Sequence, residues 1–454
     1  MPNTQSHRSA LVTATLAVLL LAVALAGCHG PPVCCDPGVV SREIACRTGA
    51  QLESVAPCQT KLPPQVELDD GLDEDEALLT ALSNNSAFQA TLAQLGMVHG
   101  DAVQASLLAN PQLLVYFPTG AKEGQYTLYA PIESYFLRPA RVNVANREYR
   151  RIGDQLVQNG LNLARDVRVA YTDWVEARQQ AELAQEAETI RAAIASLTVK
   201  RFEDGDISEL ETIASRVDSL NARASLGVQQ QTANVAKARV ATLIGIPQLD
   251  QELDPTELPR PELPEQSEAE LIQTALACRP DLHAANWFVA AARQRTTVAR
   301  WLWLRLDGVF DVRASDDYSR AGGGIRWDLP LFNRNEGGIL RADWELNAAQ
   351  HARDGIADQI TQEVRTAYRQ LTQAYDYLTL LEGEIVPALE EALVIAQKGY
   401  EGGGSDYLLV LQTTTQYLTA RGQVISQSAA CNRALAELER SVGRNLHAPG
   451  LNGG

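Results

Sequence analysis

Two long stretches of the chain carry an apolar residue at every third or fourth position. Such spacing puts these residues on one face of an α-helix, and the many alanines among them let neighbouring helices approach closely. Each helix would be about 65 residues long and span on the order of 100 Å, which no globular core can bury. The sequence therefore predicts long, paired helical columns, the second interrupted at Pro387. The predicted seam of the second helix is Ile356, Ile360, Val364, Ala367, Leu371, Ala374, Leu378, Leu381, Ile385, Ala388, Ala392 and Ile395.

The two stretches belong to two copies of one unit. Residues 200–205 (KRFEDG) recur at 398–403 (KGYEGG), and residues 220–223 (LNAR) recur at 418–421 (LTAR), an offset of about 198 residues. Between the copies, five prolines in an acidic stretch exclude a helix. The predicted organisation is a signal peptide (1–27), a Cys-containing N-terminal tether (28–71), a first repeat (72–246), a Pro-rich linker (247–267), a second repeat (268–446) and a flexible tail (447–454).

Residues 302–314 alternate between apolar and polar side chains, and residues 320–329 do the same after a turn. A period of two predicts a β-hairpin with one apolar and one polar face. A soluble sheet could show this pattern, but strands of about 11 to 13 residues match the length that crosses an outer membrane at a tilt. A less regular hairpin is predicted around residues 113–132. Four strands cannot close a barrel, which needs about eight, so oligomerisation is required.

The N-terminus predicts export with a lipid anchor. Arg8 precedes an apolar run over residues 11–26, which is typical of a secretory signal peptide. The residues before Cys28 form a lipobox, so we expect Cys28 to become an acylated N-terminus; ordinary secretion is the alternative. His29 stands where aspartate favours inner-membrane retention in some bacteria, which favours the outer membrane.

Charge and residue content argue against an enzyme or a nucleic-acid partner. The chain has 39 Lys and Arg against 56 Asp and Glu, a net charge of −17, and only six histidines. Such a negatively charged surface repels nucleic acid and attracts cations. The sequence contains no assembled catalytic constellation, and we expect no cofactor. Export favours disulfides among Cys34, Cys35, Cys46 and Cys58, with a thiolate metal site or free thiols as alternatives.

Several short motifs add to these patterns. Residues 279–282 are RPDL at the start of the second copy, and residues 330–337 are PLFNRNEG after the last predicted strand. Tyr400 precedes a glycine-rich turn that is followed by Leu408, Val410 and Leu411. Together with the lipobox, the duplication and the hairpins, these motifs resemble the TolC-like outer-membrane efflux channels over about residues 72–446. The PLFNRN segment most resembles that of the heavy-metal members of this family.

The resemblance implies a fold that is mainly α with transmembrane β. In it, a duplicated helix–hairpin–long helix–helix unit forms an α-helical periplasmic barrel and, in a homotrimer, a shared trimeric β-barrel of twelve strands. The implied function is a passive conduit in the outer-membrane lipid that exports metal cations or small organic toxicants. A periplasmic adaptor would join it to an inner-membrane pump of the resistance-nodulation-division type. The alternatives are the channel of a type I protein secretion system and a peripheral coiled-coil scaffold lipoprotein.

The resemblance also places two turns at the periplasmic end, where the adaptor docks and cargo enters. Their acids could concentrate cations in threefold rings, or merely cap and turn the helices. Many relatives have acidic gate residues just after the second turn, whereas residues 408–412 here are LLVLQ. The candidate tip residues are Glu203, Asp204, Gly205, Asp206, Glu401, Gly403 and Asp406, and the candidate pore-lining residues are Arg305, Asp307, Asp311 and Arg313.

Overall fold

The chain divides into two compact units. The computed structural model describes residues 38–49, 62–64, 66, 71–117, 124–247, 253–314, 319–402, 404 and 406–446. In these ranges, a sheet unit comprises residues 95–151 and 287–350, and a helical unit comprises residues up to 94, 152–286 and 351 onward. The predicted signal peptide, Cys28, Cys34, Cys35, Cys58, Gly403 and the tail lie outside the described residues.

The elements recur in the same order in the two halves of the chain. None of the helices in the described part combines the length and apolar character needed to cross a bilayer. The elements are α1 (Gly38–Thr48), α2 (Glu74–Asn84), α3 (Ser86–Ser106), β1 (Gln112–Tyr116), β2 (Gly124–Pro131), α4 (Glu133–Glu203), α5 (Glu209–Leu243), α6 (Glu268–Cys278), α7 (Pro280–Trp301), β3 (Leu306–Ala314), β4 (Ser319–Trp327), α8 (Glu336–Leu380), a π-helical segment (Leu381–Ile385), α9 (Val386–Glu401) and α10 (Tyr407–Val442).

The first helix of each repeat starts with a capping box. Asp73 caps α2 and pairs with Glu76, and Ser267 caps α6 and pairs with Glu270, so each side chain satisfies a backbone N–H that the helix leaves free. The helical stretch before each hairpin is broken once, between α2 and α3 in the first repeat and between α6 and α7 in the second. Arg279 is extended because Pro280 disfavours helical backbone before it. Asn85 is also extended, and its side chain accepts from Phe88 N at 3.0 Å to start α3.

The four strands form one antiparallel sheet in the order β1-β2-β3-β4. Both predicted hairpins are present, but β3 and β4 have nine residues each, fewer than expected. The prediction began β3 too early, because α7 continues to Trp301 and residues 302–305 form a turn that only mimics a strand by its alternation. The register pairs Leu128 with Phe310 and Thr127 with Asp311, so the apolar and polar rows continue across strands.

The core of the helical unit follows the predicted seam of α8. Ile360, Val364, Leu371 and Leu378 are fully or almost fully buried, and they pack with residues of α6 and α10. Small residues such as Ala367 and Ala374 lie between them, which lets the helices approach closely.

The seam prediction is wrong beyond residue 385. Ala388, Ala392 and Ile395 are exposed, whereas Leu393 and Ala396 are buried. The π-helical segment is the reason, because its wider turn contains one extra residue and shifts the buried positions along the chain by one. Pro387 lies just after this segment, where its missing N–H and bulky ring favour a departure from α-helical bonding, as its position predicted.

The described start of the predicted linker is bound to the first repeat. Leu72 N donates to the Asp254 carbonyl and Thr256 N donates to the Leu72 carbonyl, both at 3.1 Å. The buried Tyr171 hydroxyl donates to the same Leu72 carbonyl at 2.6 Å. These bonds hold the segment against α4 without making it helical.

The RPDL motif anchors a buried ion-pair network in the helical unit. The Arg279 side chain, only 3% exposed, donates to Asp281 at 2.5 Å and to Glu363 at 2.6 Å. Arg440 donates to the same Glu363 carboxylate at 3.0 Å. Partial burial alone would raise the pKa of Glu363, but its hydrogen bonds and the two arginines outweigh burial and hold that pKa below its ordinary value. The motif thus joins α6, α7, α8 and α10.

We expect Glu363→Gln to lower the stability of the purified protein at pH 7 by about 2 to 3 kcal/mol, because Arg279 then lacks part of its counter-charge. The pKa of Glu363 is lowered by folding, so its contribution is complete above the ordinary value of 4.5 and disappears as pH falls through the folded value. Thermal unfolding followed by circular dichroism should therefore show the variant's deficit at pH 7 shrinking on acidification. Asp358→Asn, at an exposed position of α8, is the control. An equal deficit at pH 3 and pH 7 would contradict the assignment.

Candidate functional site

The first candidate turn, between α4 and α5, is a tight helix end. Gly205 N donates to the Phe202 carbonyl at 3.0 Å and Asp206 N donates to the Arg201 carbonyl at 2.8 Å. Gly205 has a φ of +81°, a left-handed conformation that glycine adopts without strain. Glu203, Asp204 and Asp206 all point to solvent.

The second candidate turn joins α9 to α10. Its described residues include the helix end at Glu401 and the exposed Asp406, which precedes α10. Gly402 N donates to the Lys398 carbonyl at 3.1 Å, and Gly404 N donates to the Gly399 carbonyl at 2.8 Å. The Asp406 side chain makes no capping hydrogen bond. A capping role therefore does not explain why an acidic residue stands at position 406.

Arg201 joins the two turns. Its Nη1 donates to the Tyr400 carbonyl at 3.2 Å, and its guanidinium carbon lies 4.7 Å from the centre of the Tyr400 ring. On the other side, its Nε lies 3.9 Å from the Asp206 carboxylate. One cation thus bridges an acid of the first turn and the backbone of the second.

A small core lies beneath the turns. Tyr400, Tyr407, Val410 and Ala396 are buried together. The Tyr407 hydroxyl donates to Asp218 on α5 at 2.7 Å. Burial, and then this bond to a carboxylate, raise the pKa of Tyr407 well above its ordinary value. The hydroxyl therefore stays protonated and fastens the second turn to the first pair of helices.

Sequence reasoning named the exposed acids of the turns but missed three residues that hold the turns together: Arg201, Tyr407 and Asp218. Arg201 lies inside the repeated motif, and its counterpart in the second copy is Gly399. That asymmetry alone does not identify the contact, because Asp204 and its counterpart Gly402 differ in the same way and Asp204 is exposed. Asp218 has no signal in the sequence, since its partner lies 189 residues away.

The polar face of the sheet contains three of the four candidate pore-lining residues. Asp311 accepts from Thr127 at 2.7 Å and from Gln125 at 2.8 Å, and it pairs with Arg313 at 3.0 Å. Asp307 pairs with Arg326 of β4. Arg305 precedes β3 and is exposed, so it is not part of the strand. The charges of this face largely neutralise one another in pairs across and along the strands.

The opposite face is apolar and open to the surroundings. Leu113, Tyr126 and Ile325 expose 64%, 45% and 70% of their surface. By contrast, Thr127 on the polar face is 4% exposed. An antiparallel sheet in water covers its apolar face, so an exposed apolar row matches a sheet that faces lipid.

The two units differ in charge. Residues 95–151 and 287–350 contain 15 Lys and Arg against 12 Asp and Glu, whereas the helical unit contains 23 against 43. The negative charge of the chain therefore lies in the helical unit, in its helices and in the segments that connect them. Such a surface raises the local concentration of cations.

The described cysteines form no metal site or disulfide with one another. Cys46 is exposed on α1, Cys278 is half-buried and Cys431 is buried, and all three are free thiols. Within the described ranges, no three His, Cys, Asp or Glu side chains cluster closely enough to hold a metal ion. The predicted pairings of Cys34, Cys35 and Cys58 lie outside those ranges.

Residues 271–444 match the model of the family described as outer membrane efflux protein. The cobalt-zinc-cadmium resistance protein CzcC of Cupriavidus metallidurans is 25% identical over 407 residues, which are 87% of this chain and 94% of that protein. Among solved structures, the outer-membrane channel OprN has a TM-score of 0.71 at 19% identity, over 82% of this chain and 90% of its own. The outer membrane protein VceC of Vibrio cholerae has a TM-score of 0.70 at 19% identity, over 82% of this chain and 97% of its own.

These matches agree with the helical architecture, the four strands and the two turns. They confirm the resemblance suggested by the motifs, and the family match covers the RPDL network and the second turn. The second half of the chain thus matches the outer membrane efflux protein family, and the chain has the fold of the solved outer-membrane channels.

Proposed function

We propose that the protein is the outer-membrane channel of a tripartite efflux system that exports metal cations. The observation that carries the proposal is the sheet, which exposes apolar side chains on one face and gathers ion-paired charges on the other. A peripheral scaffold would have no use for such a sheet in water, because exposed apolar rows favour aggregation.

Three copies are needed to make the channel. β1 and β4 are the outer strands of the sheet, and each offers an edge to a further strand. In lipid such an edge must be paired, and three protomers would supply twelve strands. The helical unit supports this, because α5 exposes an apolar stripe with steps of three, four, seven and eight residues that suits a second copy. The stripe is Leu210, Ile213, Val217, Leu220, Val228 and Val235.

Metal cations are the favoured cargo for two reasons. The relative CzcC is named as a cobalt-zinc-cadmium resistance protein. In addition, the helical unit is strongly acidic, and Glu203, Asp204, Asp206 and Asp406 leave exposed carboxylates at the turns. Threefold repetition of these acids would attract cations without binding them tightly, as a conduit requires.

The protein would act passively and with partners. Channels of this family work with an adaptor and an inner-membrane pump. We propose that the two turns, held together by Arg201 and Tyr407, form the adaptor-docking surface, that the pump is of the resistance-nodulation-division type, and that acylated Cys28 adds a lipid anchor. The small core beneath the turns would keep the docking residues in a fixed arrangement, which lowers the entropic cost of binding.

Replacing Tyr407 with Phe should loosen the second turn, because Asp218 loses its donor. We expect amide hydrogen exchange over residues 406–411 to become about tenfold faster, the effect of losing one hydrogen bond to a charged group. Mass spectrometry of the detergent-purified protein measures this exchange. Tyr377→Phe is the control, since its hydroxyl meets Gln423 at 3.3 Å on an exposed surface. Unchanged exchange in the Tyr407 variant would show that the bond does not hold the turn.

The orientation of the sheet is tested by two neighbouring substitutions in β3. Phe310→Arg puts a cation on the apolar face and should cost about 2 to 4 kcal/mol near the middle of a membrane. Val309→Arg puts the same cation on the polar face and should be tolerated. The readout is the amount of heat-stable oligomer in outer membranes. Equal assembly of both variants would mean that the faces are assigned the wrong way round.

Cargo is tested by growth of a deletion strain on copper, silver, zinc, cobalt and nickel salts, and on lipophilic antibiotics, dyes and bile salts. We expect selective sensitivity to metal salts because the helical surface is acidic. A plasmid with the wild-type gene is the control and should restore growth. Sensitivity to organic compounds alone would make the protein a multidrug channel and contradict the metal proposal.

A further inference from the structure

The loop after β4 exposes apolar side chains in an unusual concentration. Phe332 is 99% exposed, Leu331 is 72% exposed and Leu329 is 62% exposed. The nearby end of α7 adds the exposed Trp301 and Leu302. Exposed apolar patches of this kind indicate a surface that another apolar body covers.

The loop is held in one conformation by its polar residues. Asn335 adopts a left-handed φ of 66°, and its side-chain amide donates to the Ala299 carbonyl at 2.8 Å. Arg334 N donates to the Glu336 carboxylate at 2.9 Å, and Asn335 N donates to the Asn333 side chain at 2.8 Å. A side chain at Gly338 would press on the Asn335 amide and displace it from this bond. These bonds hold the segment that directly follows Phe332, whose ring is exposed.

The exposed apolar side chains of the loop follow directly after the apolar row of the sheet. Ile325 and Trp327 lie on the apolar face of β4, and Leu329 and Leu331 come after the strand, which ends at Trp327. Trp327 pairs with Leu306 at the end of the sheet where the strands connect to helices. In a channel whose helices extend into the periplasm, this end lies at the periplasmic leaflet of the outer membrane.

Cationic side chains lie beside the apolar loop. Arg334 is exposed, and its Nε donates to the Pro330 carbonyl at 3.4 Å. Arg300, at the end of α7, is 61% exposed and 3.7 Å from Asp343. An apolar projection flanked by arginines matches a phospholipid, whose chains accept the apolar residues while its phosphate attracts the guanidinium groups.

We propose that residues 329–334 form a lipid-binding wedge that inserts Leu331 and Phe332 among the acyl chains of the periplasmic leaflet and sets Arg334 at the phosphate level. The inference rests on the proposed function, because it needs the sheet to span the outer membrane. The wedge would fix the depth at which the protein lies in the bilayer, at the junction of strands and helices.

The test places the photo-reactive residue p-benzoylphenylalanine at one position at a time in the full chain, expressed in cells labelled with radioactive phosphate. After irradiation of outer membranes, transfer of labelled phospholipid to the protein is measured. Phe332→p-benzoylphenylalanine should capture phospholipid within about twofold of Ile325→p-benzoylphenylalanine on the lipid-facing row. Leu114→p-benzoylphenylalanine, on the polar face, is the negative control and should capture about tenfold less.

Each outcome bears on the proposal separately from the channel function. A protein adduct at position 332 without labelled lipid would overturn the wedge and indicate a second copy or another protein as the occupant. No adduct at position 332, with lipid captured at position 325, would also overturn it. Failure to capture lipid at both positions would instead contradict the membrane-spanning sheet itself. Reduced capture at position 332 in the background Arg334→Gln, with position 325 unchanged, would support the role of the phosphate group.

Discussion

Unpaired backbone groups at the two edges of the four-stranded sheet are the constraint on which the rest of this structure depends. The sheet offers an apolar exterior, but its outer strands β1 and β4 cannot be left open in lipid. Closure must come from other copies, and the apolar stripe on α5 offers a second surface for the same assembly. A requirement of backbone hydrogen bonding in the membrane thus dictates that the helices also associate.

The helical unit satisfies a different requirement, which is to hold very long helices in register without a globular core. Alanines in the seam let the helices pack closely, and the larger residues Ile360, Leu371 and Leu378 fill the space between them. Arg279 and Glu363 make this packing specific, because their hydrogen bonds form only when the four helices are in this arrangement. The cost of burying these charges is offset by the number of bonds that each one makes. Nonspecific apolar contacts therefore supply stability, and the specific polar network sets the register of the helices.

Much of the fold was predictable, because periodicity is a local property. The seam from Ile360 to Leu381, both hairpins and the duplication were visible in the sequence, and the break at Arg279 was signalled by Pro280. The errors arose where non-local structure overrides local pattern, as in residues 302–305, whose alternation is strand-like although they form a turn. The exposed acids of the turns were easy to name, but Asp218 and Tyr407 were not, because their pairing depends on how the two copies come together. The wedge at residues 329–334 was visible only as a motif, and its exposure needed the structure.

The π-helical segment at residues 381–385 divides the second long helix into two parts, whose buried positions need not follow one continuous periodicity. In an uninterrupted helix such as α4, inserting or deleting a residue rotates everything beyond it by about 100°. A segment that already contains one surplus residue can absorb such a change locally. The two turns held together by Arg201 and Tyr407 and the seam around Leu371 can therefore change in sequence independently over evolution. Substitutions on α9 can therefore accumulate while the packing around Arg279 and Glu363 remains as it is.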